Sequence, residues 1–347
     1  MSVEQYDLKH SNSLEDIVKL CPKNQTIIDS VIKAYHKINN NVYDKIVCTV
    51  SGGADSDVMM DVCHKCDNDN KVDYVWFDTG LEYQATKDHL EHLKEKYNID
   101  IKRYKACKSV PVCCREYGQP FLSKNVSQNI MSLQRYGFKF EDKPYEELCV
   151  EYPQIKSKLK WWCNMYDCDS FNIKNNKWLK EFMVVNPPTF NISHYCCRYA
   201  KKNVISKLLK ENEYKLNISG VRKSEGGARA RAYKSCFDDN GDECDNYRPL
   251  FWYNDNDRKD YEEQLNIVHS KCYTEYGLKR TGCAGCPFGR EFEQELKIIE
   301  KHEPKLFKVV NKIFGDSYGY TRKYKSFCND MDKEYGSYAS YLRNRNN

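Results

Sequence analysis

Two groups of residues in this chain have the types and spacing for chemistry: a glycine-serine loop and a set of paired cysteines. The loop, Ser51-Gly52-Gly53-Ala54-Asp55-Ser56, directly follows the apolar run KIVCTV (45–50) and opens a helical stretch. At the start of a helix the peptide N–H groups and the helix dipole are free to receive an anion. Gly52 and Gly53 let the backbone turn and approach a phosphate, while the Ser51 and Ser56 hydroxyls can donate to its oxygens. Asp55, in the first helical turn, either helps place Mg2+ beside a polyphosphate or simply suits the positive end of the dipole. Neither GxxxxGK[ST] nor GxGxxG occurs, so this is neither a Walker loop nor a dinucleotide fingerprint.

The cysteines number 18 in 347 residues. The chain shows no signal-peptide pattern and no apolar run near the roughly 18 residues of a membrane span. A cytoplasmic, reducing location is therefore expected, with thiols in place of disulfides and no membrane partner. Tandem Cys196-Cys197 is followed, after 85 intervening residues, by Cys283-Ala-Gly-Cys286. Four soft thiolates in two close pairs suit a tetrahedral zinc or a [4Fe-4S] cluster. The tandem pair favours iron, because adjacent side chains diverge and a cubane offers separate corners. Cys236 rivals Cys196 for the fourth position. Cys63 and Cys66 form a second CxxC, but they lie on the helix after the loop and read as packing. Cys113-Cys114, Cys163 and Cys168 form a weaker candidate set for a separate metal, and His89 with His92 reads as an exposed helix pair.

The elements that must position these residues follow from periodicity. Residues 24–39 carry Ile27, Ile28, Val31, Ile32, Tyr35 and Ile38 at helical spacing. KIVCTV (45–50), VDYVWF (72–77) and IDIKRY (99–104) read as strands, with helical stretches at 55–66 and 83–97 between them. Strand-helix alternation predicts an open parallel sheet with helices on both faces. The alternation lapses at about 108–190, a Trp- and Lys-rich, mainly helical insertion, and resumes with a helix at 199–212 and the strand LNISGV (216–221). The expected division is a helical lead-in at 1–40, an α/β domain at 41–290 and a helical C-terminal tail at 291–347.

Three ordered motifs resemble those of one family. SGGADS (51–56) resembles the phosphate loop of the PP-loop, or N-type ATP pyrophosphatase, superfamily with its adenine nucleotide alpha hydrolase-like fold. VWFDTGLEYQATKDHLEHL (75–93) and GVRKSEGGARAR (220–231) resemble the Asp-Thr-Gly and Gly-x-Arg segments of phosphoadenosine phosphosulfate (PAPS) reductases. The resemblance implies that Asp78, Thr79 and Gly80 join Ser51, Gly52, Gly53, Asp55 and Ser56 around ATP or another adenylyl nucleotide, with Mg2+ as a helper. It also implies that Arg222, Arg229 and Arg231 face oxyanions, as bidentate guanidinium suits. The order CC, long gap, CxxC is similar to that of the cluster-binding sulfonucleotide reductases, in which a Lys follows the tandem pair as Lys201 or Lys202 does. Asp55, Lys201 and Arg222 are the catalytic candidates.

The reductases act through a Cys on a mobile Glu-Cys-Gly tail, and this sequence lacks that motif. Its last cysteine is Cys328, in KSFCNDMDKEYG. The expected activity is therefore adenylation-linked sulfur transfer by an iron-sulfur enzyme, with a sulfur donor protein and an acceptor that is a tRNA, a DNA or a small molecule. PAPS or APS reduction with release of sulfite is the alternative. A zinc-stapled nucleotide-sensing or nucleic-acid-binding module is the second. A net charge of +5 does not by itself argue for nucleic acid. The charge is uneven: 11 basic and 3 acidic residues over 198–234 precede 3 basic and 10 acidic over 235–263. Two solvated faces or a phosphate-binding strip would both account for that asymmetry.

Overall fold

The computed structural model describes residues 13–226, 232–241, 243–289 and 291–345. The chain divides into two compact units, Met1–Cys107 with Ala200–Cys283, and Lys108–Tyr199 with Ala284–Asn347. The lead-in helices thus belong with the sheet, and the insertion belongs with the tail.

In the first unit, β1 (Ile46–Val50), β2 (Val72–Asp78), β3 (Ile101–Lys105), β4 (Leu216–Ile218), β5 (Phe237–Asp238) and β6 (Asp245–Tyr247) form one sheet in the order β3-β2-β1-β4-β6-β5. All neighbours are parallel except β5 and β6. Ile46, Val47 and Cys48 are wholly buried, as is Val75. A strand covered on both faces is apolar throughout, which is why KIVCTV lacks alternation. On one face Ile46, Cys48 and Val50 join a core with Ile27, Val31 and Ile38 of α2 (Gln25–Asn39) and Val58, Met59 and Val62 of α3 (Ala54–Cys66). The other face packs Val47 and Val75 against Leu208 and Tyr214. Cys63 and Cys66 are buried in the first of these cores. Also in this unit are α1 (Leu14–Leu20), α4 (Gln84–Tyr97), α5 (Asn203–Glu211), α6 (Asp255–Gln264) and α7 (Lys271–Thr274).

The strand expected over 216–221 ends at Ile218, and β5 and β6 lie in the acidic stretch where no strand is expected. Two- and three-residue strands are too short to show a period. The expectation of an exposed His89 and His92 pair is corrected at His89, which is buried on α4 with Nε2 3.0 Å from Oδ2 of buried Asp57. The second unit is helical. Its core centres on Phe121, Trp161, Trp162 and Phe182, with Tyr320 and Tyr324 supplied by the 32-residue helix Pro304–Tyr335. Among the described residues no helix is long and apolar enough to cross a membrane.

Candidate functional site

Strand order reverses between β1 and β4, so the connections leaving their C-terminal ends diverge and open a crevice. Ser51–Ser56 leaves β1 at that point. Gly52 has φ +66°, and a Cβ there would lie 2.9 Å from Thr86 Cγ2, so both conformation and space require glycine. Gly53 caps α3 with φ −98°, open to any residue, but its Cβ position lies 3.2 Å from Tyr273 Oη and 3.3 Å from Thr281 Oγ1. The loop closes on itself. The Ser51 N–H donates to Ser56 Oγ at 2.9 Å, and the Asp57 N–H donates to the Gly53 carbonyl at 3.0 Å.

The segment leaving β4 meets the same turn. A Cβ on Gly220 would stand 3.1 Å from the Asp55 carbonyl oxygen, so glycine permits this close approach. Two residues on, buried Arg222 donates from Nε to Asp55 Oδ1 at 2.8 Å and from Nη1 to Asp255 Oδ1 at 2.9 Å. Arg258 Nη1 reaches the same Asp55 oxygen at 3.3 Å. Burial raises the Asp55 carboxyl above its ordinary pKa, and the two guanidinium charges oppose that rise. The fold thus brings the sequence-derived candidates Asp55 and Arg222 into contact with each other. Arg229 and Arg231 lie outside the described residues.

At the end of β2, Asp78, Thr79 and Gly80 form a turn with its polar groups engaged. Asp78 accepts from the Gly80 N–H at 2.8 Å and from Arg103 Nε at 2.9 Å, while the Thr79 N–H donates to Glu82 Oε1 at 2.9 Å. Thr79 Oγ1 also stands 3.4 Å from Cys283 Sγ. Between these strand ends lies a cavity of ≈ 160 Å³ whose lining includes Thr49, Ser51, Trp76, Glu82, Lys201 and Thr281. Lys201 supplies a cation in a π-helical turn, Arg198–Lys202. π-turns recur at functional sites. Glu82, Thr281, Tyr273 and Arg258 are absent from the sequence-derived site. Their only local signals are nearness to the DTG turn for Glu82 and to CxxC for Thr281.

The cysteines fall in both units. Cys283 closes the first, and Cys196, Cys197 and Cys286 belong to the second. There the helix Val110–Tyr117 packs on Tyr195–Cys197, bringing the buried Cys196 thiol into hydrogen-bonding contact with those of Cys114 and Cys197 and within charge range of Cys286. Contact with the neighbouring thiol of Cys114 heads the causes that raise the Cys196 pKa. Cys113-Cys114 is in sequence only a weaker candidate, with Cys163 and Cys168, for a separate metal; the fold sets Cys114 beside the tandem pair. The donor chemistry of these thiols fits a thiophilic centre such as an iron-sulfur cluster. Among the described residues no cluster of three or more Cys, His, Asp or Glu is arranged around a single ion. Cys236 lines a different cavity of the first unit, with Asp29, Lys33, Tyr247 and Trp252.

Residues 45–132 match the family described as the phosphoadenosine phosphosulfate reductase domain. That stretch is similar to a PAPS reductase domain. The matched residues take in β1, β2 and β3, the Ser51–Ser56 loop and the DTG turn, and stop short of Cys196-Cys197, Arg222 and the CxxC. A stretch of 108 residues is 29% identical to an uncharacterized protein of Methanocaldococcus jannaschii, covering 29% of this chain and 26% of that protein. The match therefore spans about a quarter of the curated relative. Among solved structures, PAPS reductase from Candida auris is 13% identical, covers 82% of this chain and 97% of its own, and gives a TM-score of 0.38. A U34-tRNA thiolase from Methanococcus maripaludis, solved with its [4Fe-4S] cluster, is 14% identical, covers 85% and 79%, and gives 0.36. Likenesses at that level carry no argument, and the similarity to the PAPS reductase domain rests on residues 45–132 alone.

Proposed function

We propose that this PAPS reductase-domain protein binds ATP or a related adenylyl nucleotide at the Ser51–Ser56 loop and uses it to exchange a substrate oxygen for sulfur. The observation that carries the reading is the placement of that loop at the strand-order reversal, with Lys201 lining the adjoining cavity and Arg222 against the first turn of α3. A substrate oxygen attacks the α-phosphorus, the new O–P bond forms, the α–β anhydride breaks and pyrophosphate departs with the electron pair. Loop N–H groups and Lys201 stabilise the departing charge; Asp55 is the residue that would hold Mg2+, which would supply further neutralisation of phosphate charge. A sulfur nucleophile then forms the bond to the substrate as its bond to oxygen breaks and AMP leaves.

A [4Fe-4S] cluster would be held by Cys197, Cys283 and Cys286, with Cys196 or Cys236 as the remaining ligand; such a centre supplies electron transfer or sulfide carriage. Arg229 and Arg231 remain assigned to oxyanions, and Asp78, Thr79 and Gly80 to the nucleotide side of the site. The acceptor is a tRNA, a DNA or a small molecule, the donor a sulfur-carrying protein, and the location cytoplasmic.

The test is anaerobic purification with iron, sulfide and zinc assays, followed by incubation with ATP. Brown protein with acid-labile sulfide, releasing AMP and pyrophosphate when given its acceptor, is the expected result. Colourless protein holding one zinc and showing no turnover of ATP would support the nucleotide-sensing or nucleic-acid-binding reading. Sulfonucleotide reduction is the second reading, favoured by the name of the matched domain.

A further inference from the structure

Beneath the phosphate loop lies a chain of ionisable groups that neither the loop motif nor the matched family accounts for. Asp57, in the second half of the first turn of α3, is 1% exposed, and its Oδ1 has no hydrogen-bond partner among the described residues. Its Oδ2 is 2.8 Å from His269 Nδ1 and 3.0 Å from His89 Nε2 of α4. On its other side His269 Nε2 stands 3.0 Å from Glu262 Oε1 of α6, an ion-pair contact without hydrogen-bond alignment. Arg258, also on α6, stands 3.2 Å from Glu262 through Nε and 3.3 Å from Asp55 through Nη1. The two carboxylates that flank Ser56 in the loop's first helical turn are therefore joined through Arg258, Glu262 and His269.

The middle of this chain needs a particular protonation state. A neutral imidazole carries one N–H, so between two carboxylates it leaves one nitrogen lone pair facing an oxygen lone pair; an imidazolium donates in both directions. The groups facing His269 are Asp57 from α3, Glu262 and Arg258 from α6, and the Tyr273 ring from α7, 5.9 Å away, with His89 sharing the Asp57 oxygen.

The linkage reaches the loop by two routes. Asp57 holds the Gly53 carbonyl through its N–H, and the segment that begins at His269 carries Tyr273 and Thr281 to within 3.2 and 3.3 Å of the Gly53 Cβ position.

We propose that His269 is a positioning residue for the phosphate loop, an imidazolium that ties Asp57 to Glu262 and so holds the Ser51–Ser56 loop in its anion-receiving form. The inference rests on the nucleotide-binding reading of that loop. Burial alone would lower the His269 pKa, but its bonds to Asp57 and Glu262 outweigh that and raise it to about 9. The tie is therefore complete at neutral pH and is lost as pH rises through that value.

The experiment is calorimetric titration of ATP into the full chain across that pH range, for the wild type and for His269→Gln, His269→Arg and Glu262→Gln, with circular dichroism to confirm folding. Wild-type affinity should fall about tenfold on the alkaline side, the size of one lost charge-assisted contact. His269→Gln should bind at that weaker level at every pH, and its profile subtracts the other groups that titrate in the range. His269→Arg should restore affinity without the alkaline fall. Glu262→Gln should move the wild-type midpoint to lower pH, and it keeps the test open if the His269 variants misfold. Wild type that binds ATP with a pH profile matched by His269→Gln, or unmoved in Glu262→Gln, overturns the role of His269 alone. Wild type that binds no ATP at any pH overturns the reading of the loop and this inference with it.

Discussion

Gly52 and Ser51 do different work in the same loop. Gly52 supplies a left-handed turn with Thr86 packed against it, and Ser51 is exposed, its Oγ accepting from the Gly53 N–H at 3.4 Å. Ser51→Ala should weaken ATP binding by about 1 kcal/mol with an unchanged melting temperature, the net value of one hydrogen bond. Gly52→Val should abolish measurable binding and lower stability, since a branched side chain meets both the positive φ and Thr86. Calorimetry and thermal melts on the two variants would separate these effects; equal binding in all three proteins would remove the loop from the site. Asp55 poses a different question because buried Arg222 depends on it. Asp55→Asn should destabilise the chain by about 2 kcal/mol, between the values for exposed and buried pairs, because exposed Asp255 still accepts from Arg222. Urea denaturation would measure it.

Among the elements, the helix Pro304–Tyr335 bears on the choice between sulfur transfer and sulfonucleotide reduction. Cys328 sits on it with Sγ 3.6 Å from the Lys177 carbonyl, and its neighbours Tyr324 and Phe327 pack against Phe182. Burial raises the Cys328 pKa, which suppresses the thiolate at neutral pH. A thiol held this way is poorly suited to attack a sulfonyl sulfur. Iodoacetamide should therefore label Cys328 well after exposed Cys107, as followed by peptide mass spectrometry. Protein supplied with thioredoxin and PAPS or APS should release no sulfite. Sulfite release that disappears in Cys328→Ser would establish the reductase reading instead.

At the scale of the whole molecule, buried charges predict how stability depends on pH. Asp61, 2% exposed, accepts from Tyr261 Oη at 2.7 Å and Tyr97 Oη at 2.9 Å and pairs with Lys65. Burial pushes its carboxyl up, but Lys65 and the tyrosine hydroxyls outweigh it, leaving the folded pKa below its ordinary value. That contribution is present above the unfolded carboxylate pKa of about 3.9 and is lost as pH falls through the folded one. His269 acts at the other end. Its contribution is complete below the ordinary imidazole pKa of about 6.5. It is lost as pH rises through about 9. Melting temperature against pH should show a plateau between these limits, with His269→Gln flattening the alkaline side and Asp61→Asn the acid side. A wild-type profile that does not change from neutral to alkaline pH would contradict the charge on His269.

The sequence alone determined what consecutive residues encode: the period of α2, the unalternating β1, the loop that follows it, and the CC and CxxC order. These are local because a strand buried on both faces, or a helix with one apolar stripe, writes its environment into neighbouring side chains. Partners distant in sequence became visible only once the sheet order was set. Arg222 meets Asp55 because β4 lies beside β1, and the acidic stretch 235–263 contributes Arg258 and Glu262 to a partly buried chain of charges. His89 carries no mark distinguishing an exposed histidine from one facing Asp57, and Cys114 none that places it against Cys196. A charged side chain can be buried only where its counter-charge is brought to it, and that is a property of the chain's path, which no short window of residues records.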